Sequence, residues 1–383
     1  MDFALSAEQK QLKRAVKRFV RDRLADPELL RRDHDGEFSR ELWRCCAEMG
    51  FPGLLVPQEY GGSGYDMFSA VLAFETLGRH CEDNGLVFSL GAHLFSCVVP
   101  IWKTGNEEHR KRYLPGLCDG SLIAVNAMTE PNSGSDAFSM QTRAIPDGDG
   151  FRISGTKTFC TNGPIGDVYV VFAITDPEMG YHGGVTTFLI DAGTPGVTVS
   201  KPIEKMGLRT SPLGELVFED VYVPGTAVLG TVGAGSAEFT RSMDWERVGI
   251  FASNVGVLES LLSKAVDYAR NRSQYGKSIG KFQAIAHRLA DMRVQLEAAR
   301  LLTYRAAWRL SQGRNATLEA SMVKLFVSES LLKAALDAVH VFGGYGYMTE
   351  FGVERVLRDA VAGTIYSGTS EVQRNIIARW LGL

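Results

Sequence analysis

The sequence predicts an α+β protein in three parts. These are an N-terminal helical domain over residues 1–121, a central β-barrel-like domain over 122–232, and a C-terminal four-helix bundle over 233–383. Three observations carry that reading. Up to about residue 120, apolar residues recur at helical spacing. From about 122 the chain turns to short β-rich runs separated by Gly, Pro and Asp. After Gly230–Gly235 it returns to long helical patterns.

The first helix is marked by Leu5, Leu12, Val16, Phe19 and Val20, and Ser6 followed by Gln9 fits a capping box. Its opposite face carries Lys10, Lys13, Arg14, Lys17, Arg18 and Arg21. That face reads as solvated surface, with docking of an acidic partner as the alternative. Helical patterns recur at 39–49, 66–79 and 107–118, with loops punctuated by Pro52, Pro57 and Gly61-Gly62-Ser63-Gly64. The middle part offers strands at Phe151–Ser154, Val168–Phe172, Thr186–Ile190, Val197–Val199 and Leu216–Phe218, the pattern of an antiparallel sheet or barrel. The last part offers helices at 237–270, 280–312, 316–342 and 371–381, with 283–311 plainly amphipathic.

At 383 residues the chain is long enough for two or three domains around a large interior. A net charge of −3 gives no argument for nucleic acid or an acidic membrane surface. No apolar run reads as long enough to span a membrane. The N-terminus lacks the basic and apolar regions of a secretory signal, so a cytoplasmic location is the expectation. The six cysteines show no CxxC spacing and read as buried and reduced. There is no HExxH, no paired-Cys zinc pattern, no strand-linked GxGxxG and no GxxxxGK[ST], so neither a metal nor a Rossmann or P-loop site is expected.

Several blocks, in order along the whole chain, resemble the acyl-CoA dehydrogenase family of flavoenzymes. They are Asn126–Asp136, Lys157–Gly163, Arg272–Gln283, Val341–Tyr347 and Ile365–Arg374. The resemblance implies the acyl-CoA dehydrogenase fold, FAD as cofactor, α,β-dehydrogenation of an acyl thioester, and a homotetramer. It assigns Met128, Thr129 and Ser135 to the flavin site, with Ser135 also beside the pantetheine arm. Phe159 stands where the family usually has Trp and still offers a flat apolar face. Thr161 falls near flavin N5. Arg272, Tyr275 (usually Phe) and Gln283 reach the FAD of a neighbouring subunit, and Arg272 suits the pyrophosphate because guanidinium binds phosphate bidentately. Gly343 and Gly344 pass the diphosphate–adenosine end, while Thr369 and Glu371 complete the flavin site.

The signature Ile365–Arg374 carries Ser367 where most of the family has a glutamate, the base that removes the α-proton. A serine hydroxyl is a poor base near neutral pH. In the isovaleryl-type and long-chain branches the base is instead a glutamate just before an arginine on another helix. The resemblance places that role on Glu246, within Asp244-Trp245-Glu246-Arg247. Ser367 would keep its backbone N–H as an oxyanion donor, and Arg247 and Tyr366 would contact substrate.

Trp245-Glu246-Arg247, the Ser367–Ser370 loop, Gly85–Phe88 and His93–Phe95 resemble the prolyl–carrier-protein dehydrogenases of pyrrole biosynthesis. The substrate implied is an aminoacyl group on an acyl- or peptidyl-carrier protein, with a short or branched acyl-CoA as the alternative. Arg110, Lys111 and Arg112 are candidates to meet an acidic carrier, or simply a solvated helix face. The electron acceptor, an electron-transfer flavoprotein or oxygen, stays open. So do a flavin oxidase or monooxygenase and a non-catalytic family member.

Overall fold

The computed structural model describes residues 4–383. Helix α1 (Ala7–Arg23) opens on the expected capping box: the Ser6 hydroxyl accepts from the Gln9 N–H at 3.1 Å, and Gln9 Oε1 accepts from the Ser6 N–H at 2.9 Å. It buries Leu12, Val16, Phe19 and Val20, and of its basic face Lys13 reaches Glu75 while Arg21 pairs with Asp22. Helices α2 (Leu29–Asp35), α3 (Arg40–Glu48) and α4 (Met67–His80) follow, α3 and α4 capped by Ser39 and Asp66.

Next comes a stretch the helical patterns left unread. Helix α5 (Asn84–His93) runs through a π-helical turn (Leu94–Val98) into α6 (Val99–Thr104). It is apolar on nearly every face, so it has no amphipathic period to read. This corrects the expectation about membrane-spanning length: Asn84–Thr104 is long and apolar enough, with mean hydropathy 1.7 over its best window. Most of that window is buried inside the protein, as the central helix of the N-terminal layer. Helix α7 (Glu107–Cys118) closes that layer.

The middle part holds β1 (Ala124–Ala127), β2 (Arg143–Asp147), β3 (Gly150–Thr161), β4 (Val168–Ile174), β5 (Val185–Asp191), β6 (Val197–Val199), β7 (Leu213–Pro224) and β8 (Val228–Leu229). They form one sheet in the order β6-β7-β3-β2-β4-β5-β8, with β1 paired to β4. Most pairs are antiparallel as expected, but β1–β4 and β2–β4 are parallel. The strands between β1 and β4 supply the long crossover that parallel pairing needs. Alternate residues of β4 serve two cores. Val168, Val170 and Phe172 pack with the helical domains, and Tyr169, Val171 and Ala173 with the interior of the sheet domain. That is why the strand reads as a continuous apolar run.

The C-terminal part is α8 (Gly235–Asn271), a small hairpin of β9 (Ser273–Gln274) and β10 (Lys277–Ser278), α9 (Gln283–Ser311), α10 (Thr317–Phe342), α11 (Gly344–Tyr347), α12 (Val353–Gly363) and α13 (Ser370–Trp380). The four patterns expected from sequence are α8, α9, α10 and α13; the short α11 and α12 are additions, and α12 packs on α10. All six cysteines are buried and unpaired.

One contact brings the N-terminal layer against α8. A Cβ at Gly249 would lie 2.5 Å from the Phe95 ring in the π turn, so only glycine permits this approach. Gly249→Ala should therefore destabilise the fold by about 1–3 kcal/mol through overpacking, measured by denaturant unfolding; an unchanged midpoint would contradict the close packing.

Candidate active site

The centre of the site is Glu246 on α8, only 8% exposed. Its carboxylate accepts a short hydrogen bond from the Ser367 hydroxyl, and the Ser96 hydroxyl of the π turn lies near it and favours its charged form. Burial raises its pKa above the ordinary carboxylate range, while Ser367, Ser96 and then Arg247 pull in the other direction. Arg247 is also buried, and burial lowers its pKa against the opposing pull of Glu246 and Asp244.

The loop after α12 brings Ser367 to Glu246. Ser367 has φ 57° and Gly368 φ 86°, two left-handed residues in succession that reverse the chain. For serine that conformation is strained, so the surroundings must hold it. Arg247 Nε donates to the Ser367 carbonyl at 3.1 Å. Gln373 Nε2 donates to the same carbonyl at 3.1 Å and to that of Gly368 at 2.9 Å. Behind the loop, buried Lys324 donates to the Thr364 carbonyl at 3.0 Å, and burial lowers its pKa to about 8. The Ser367 N–H bonds to no acceptor among the described residues. Tyr366 packs between Phe88 and Phe251, with ring centroids 4.7 and 5.3 Å away.

A second group of expected residues lies where β1 meets β3. The Thr158 N–H donates to the Thr129 carbonyl at 2.8 Å, and Lys157 Nζ donates to the Met128 carbonyl at 3.1 Å while pairing with Glu130 at 2.8 Å. Phe159 is 62% exposed at φ 54°, a large apolar ring held outward on strained backbone. Thr161 is half-buried at the end of β3, and Ser135 is exposed in the preceding segment.

A third group lines a cleft of about 700 Å³ at the end of the bundle, which includes Arg272, Tyr275, Gly343, Gly344 and Tyr345. Cβ atoms built on Gly343 or Gly344 meet nothing within 4 Å, and Gly343 has φ 61° and ψ −135°, which suits glycine alone. An exposed arginine beside bare backbone is a donor set that fits a diphosphate. Tyr275 is 94% exposed, and Gln283 is exposed at the start of α9. None of Met128, Thr129, Ser135, Phe159 or Thr161 lines this cleft. Thr369 caps α13 through its hydroxyl, with exposed Glu371 in the first turn.

The structure thus brings together Glu246, Arg247, Tyr366 and Ser367, and collects the other expected residues at two further places. Sequence reasoning missed Ser96, Gln373 and Lys324. Gln373 lay within the quoted signature, but nothing marked its role. Ser96 sits in an apolar run whose π turn has no sequence period.

Family models describing the N-terminal, middle and C-terminal domains of acyl-CoA dehydrogenases match residues 6–121, 126–221 and 233–382. The chain is 41% identical over 384 residues to an L-prolyl-[peptidyl-carrier protein] dehydrogenase of Pseudomonas fluorescens, covering 100% of both. The chain belongs to the acyl-CoA dehydrogenase family. Among solved structures it resembles the prolyl acyl carrier protein oxidase AnaB at 43% identity and TM-score 0.97, over 99% of this chain and 100% of that one. It also resembles PigA, solved with FAD and proline, at 41% identity and TM-score 0.97, over 100% of both. The family resemblance and three-part fold read from the sequence are borne out.

The Ser367 loop depends on the Gln373 amide. Gln373→Leu, of similar size, should destabilise the protein by about 1–3 kcal/mol in denaturant unfolding by leaving loop carbonyls without that donor. Unchanged stability would show that the clamp contributes little.

Proposed function

We propose that this chain is an FAD-dependent acyl-thioester dehydrogenase, with Glu246 as the base and an L-prolyl-type group on a carrier protein as substrate. The observation that carries the reading is the buried Glu246 carboxylate held against the loop where the family's usual glutamate is replaced by Ser367. An apolar setting raises a carboxylate pKa toward working pH, which a general base requires. Glu246 takes the α-proton. The free Ser367 N–H donates to the thioester oxygen as enolate-like charge develops there. The hydroxyl of Ser367 is too weak a base for the proton transfer itself.

When bound, FAD supplies the acceptor for the β-hydride. Met128, Thr129, Ser135, Phe159 and Thr161 would border its ring, with Thr369 and Glu371 completing that end. Arg272, Tyr275, Gln283, Gly343 and Gly344 would hold the diphosphate–adenosine end. The separation of these two groups in one chain, and the exposed Tyr275, Trp308 and Trp380 on the bundle, support a homotetramer in which subunits share the cofactor. Arg247 and Tyr366 would contact the acyl thioester. We place the enzyme in the cytoplasm.

The carrier-bound substrate is supported by the names of the prolyl–carrier relatives. Arg110, Lys111 and Arg112 are engaged by the Trp102 carbonyl, Glu107 and Asp191, which favours their reading as an ordinary helix face. A short or branched acyl-CoA is the second reading, favoured by the matching family models. The relatives' names include both dehydrogenase and oxidase, so the acceptor is an electron-transfer flavoprotein or oxygen.

The test is anaerobic mixing of the yellow protein with prolyl–carrier protein and, separately, with short acyl-CoAs. Bleaching by the carrier-bound substrate is expected, and bleaching by acyl-CoA alone would shift the reading to catabolism. Flavin that no thioester reduces would leave the protein non-catalytic. Glu246→Gln should retain flavin but slow its reduction by roughly 10²–10⁴-fold, the usual range for a lost general base; an unchanged rate would remove Glu246 from the role.

A further inference from the structure

At φ 57° glycine would occupy position 367 with less strain than serine, so the serine is best explained by its side chain. That side chain is a hydroxyl, and it is spent on Glu246 Oε1. The Ser96 hydroxyl lies near the same carboxylate and favours its charged form, out of the only π-helical turn among the described residues. Turns of this kind shift the register of a helix, and they concentrate at functional sites. The turn is fixed on two sides: the Ser96 carbonyl accepts from Asn126 Nδ2 at 3.3 Å, and the ring of Phe95 lies over Gly249.

We infer that Ser96 and Ser367 are paired positioning residues, whose two hydroxyls hold the Glu246 carboxylate ionised and aimed for proton abstraction. The proposal rests on Glu246 being the base. The residue at the position vacated by the family's usual glutamate therefore serves the base in its new place. Ser96 and Ser367 act through Glu246 and transfer no proton themselves.

The other charged or titratable groups facing Glu246 are few. Arg247 favours its ionised form from the same helix, while Cys97 in the π turn and Tyr366 in the loop are both held neutral by burial. Donors to a carboxylate favour the charged form, so removing them raises the pH at which it ionises. Abstraction needs the ionised form. The limb of the pH–rate profile that rises with pH must therefore move to higher pH when a hydroxyl is lost. A side chain that merely supports the fold would lower the rate equally at every pH.

The experiment measures the pH dependence of single-turnover flavin reduction by one thioester substrate in Ser96→Ala, Ser367→Gly, the double variant and Ser96→Thr. Glycine at 367 keeps the backbone N–H and suits the left-handed conformation. Each single loss should move the rising limb to higher pH and slow reduction by about tenfold on its acid side, the worth of a hydrogen bond to a charged group. Rates should converge on the alkaline side, the double variant should shift further, and Ser96→Thr should restore the native profile. Slower rates with an unmoved limb in both single variants would overturn the proposal while leaving Glu246 as the base. Full flavin reduction in Glu246→Gln would instead overturn the base assignment, and this inference with it.

Discussion

A carboxylate inside a protein keeps its charge only if donors hold it, and the site depends on that constraint at Glu246. Burial pushes this group toward neutrality, and two hydroxyls with a neighbouring guanidinium oppose it. The balance leaves its pKa above the ordinary carboxylate range. Each contributor comes from a different element: Arg247 from α8, Ser96 from the π turn and Ser367 from the loop after α12. The N-terminal layer and the bundle must therefore dock correctly before this carboxylate meets its donors. Gly249 permits that docking, and the Phe95 ring fills the space it leaves.

The same economy governs the Ser367 loop. Its two left-handed residues cost conformational energy, and three buried side chains from α8, α10 and α13 hold its carbonyls. Arg247 faces both ways, favouring the charged Glu246 carboxylate and fixing the loop that carries the free N–H. Of two buried cations, Arg247 lies close enough to Lys324 to make it harder to protonate. The loop carbonyls and nearby carboxylates compensate them. This coupling explains how one loop can lose the family's usual carboxylate and still serve the site through its backbone and a hydroxyl.

Much of the fold was legible because the helices α1, α9 and α10 bury residues at helical spacing, with caps such as Ser6 and Gln9 at readable spacing. The exceptions follow from physics. The helix from Asn84 to Thr104 is buried on nearly all sides and so has no period, and β1 and β2 each carry a single β-branched residue, unlike the shorter β6 that was read. The absence of a base at Ser367 was readable because residue type decides what can accept a proton, and Glu246 was singled out only through the family resemblance. Ser96 was not, because a π turn far away in sequence sets its direction. Gln373 and Lys324 were hidden for a similar reason: a side chain that holds backbone carbonyls carries no motif of its own.

The most direct test of Glu246 as base separates proton abstraction from hydride transfer. A 3,3-dimethylprolyl thioester on its carrier keeps the α-hydrogen but offers no β-hydrogen to transfer. Incubated with the holoenzyme in deuterated buffer, it should exchange its α-hydrogen with solvent, followed by mass spectrometry. Glu246→Gln, with flavin bound, should show no enzyme-dependent exchange. Exchange at the native rate in that variant would contradict the account and send the search for the base elsewhere in the pocket.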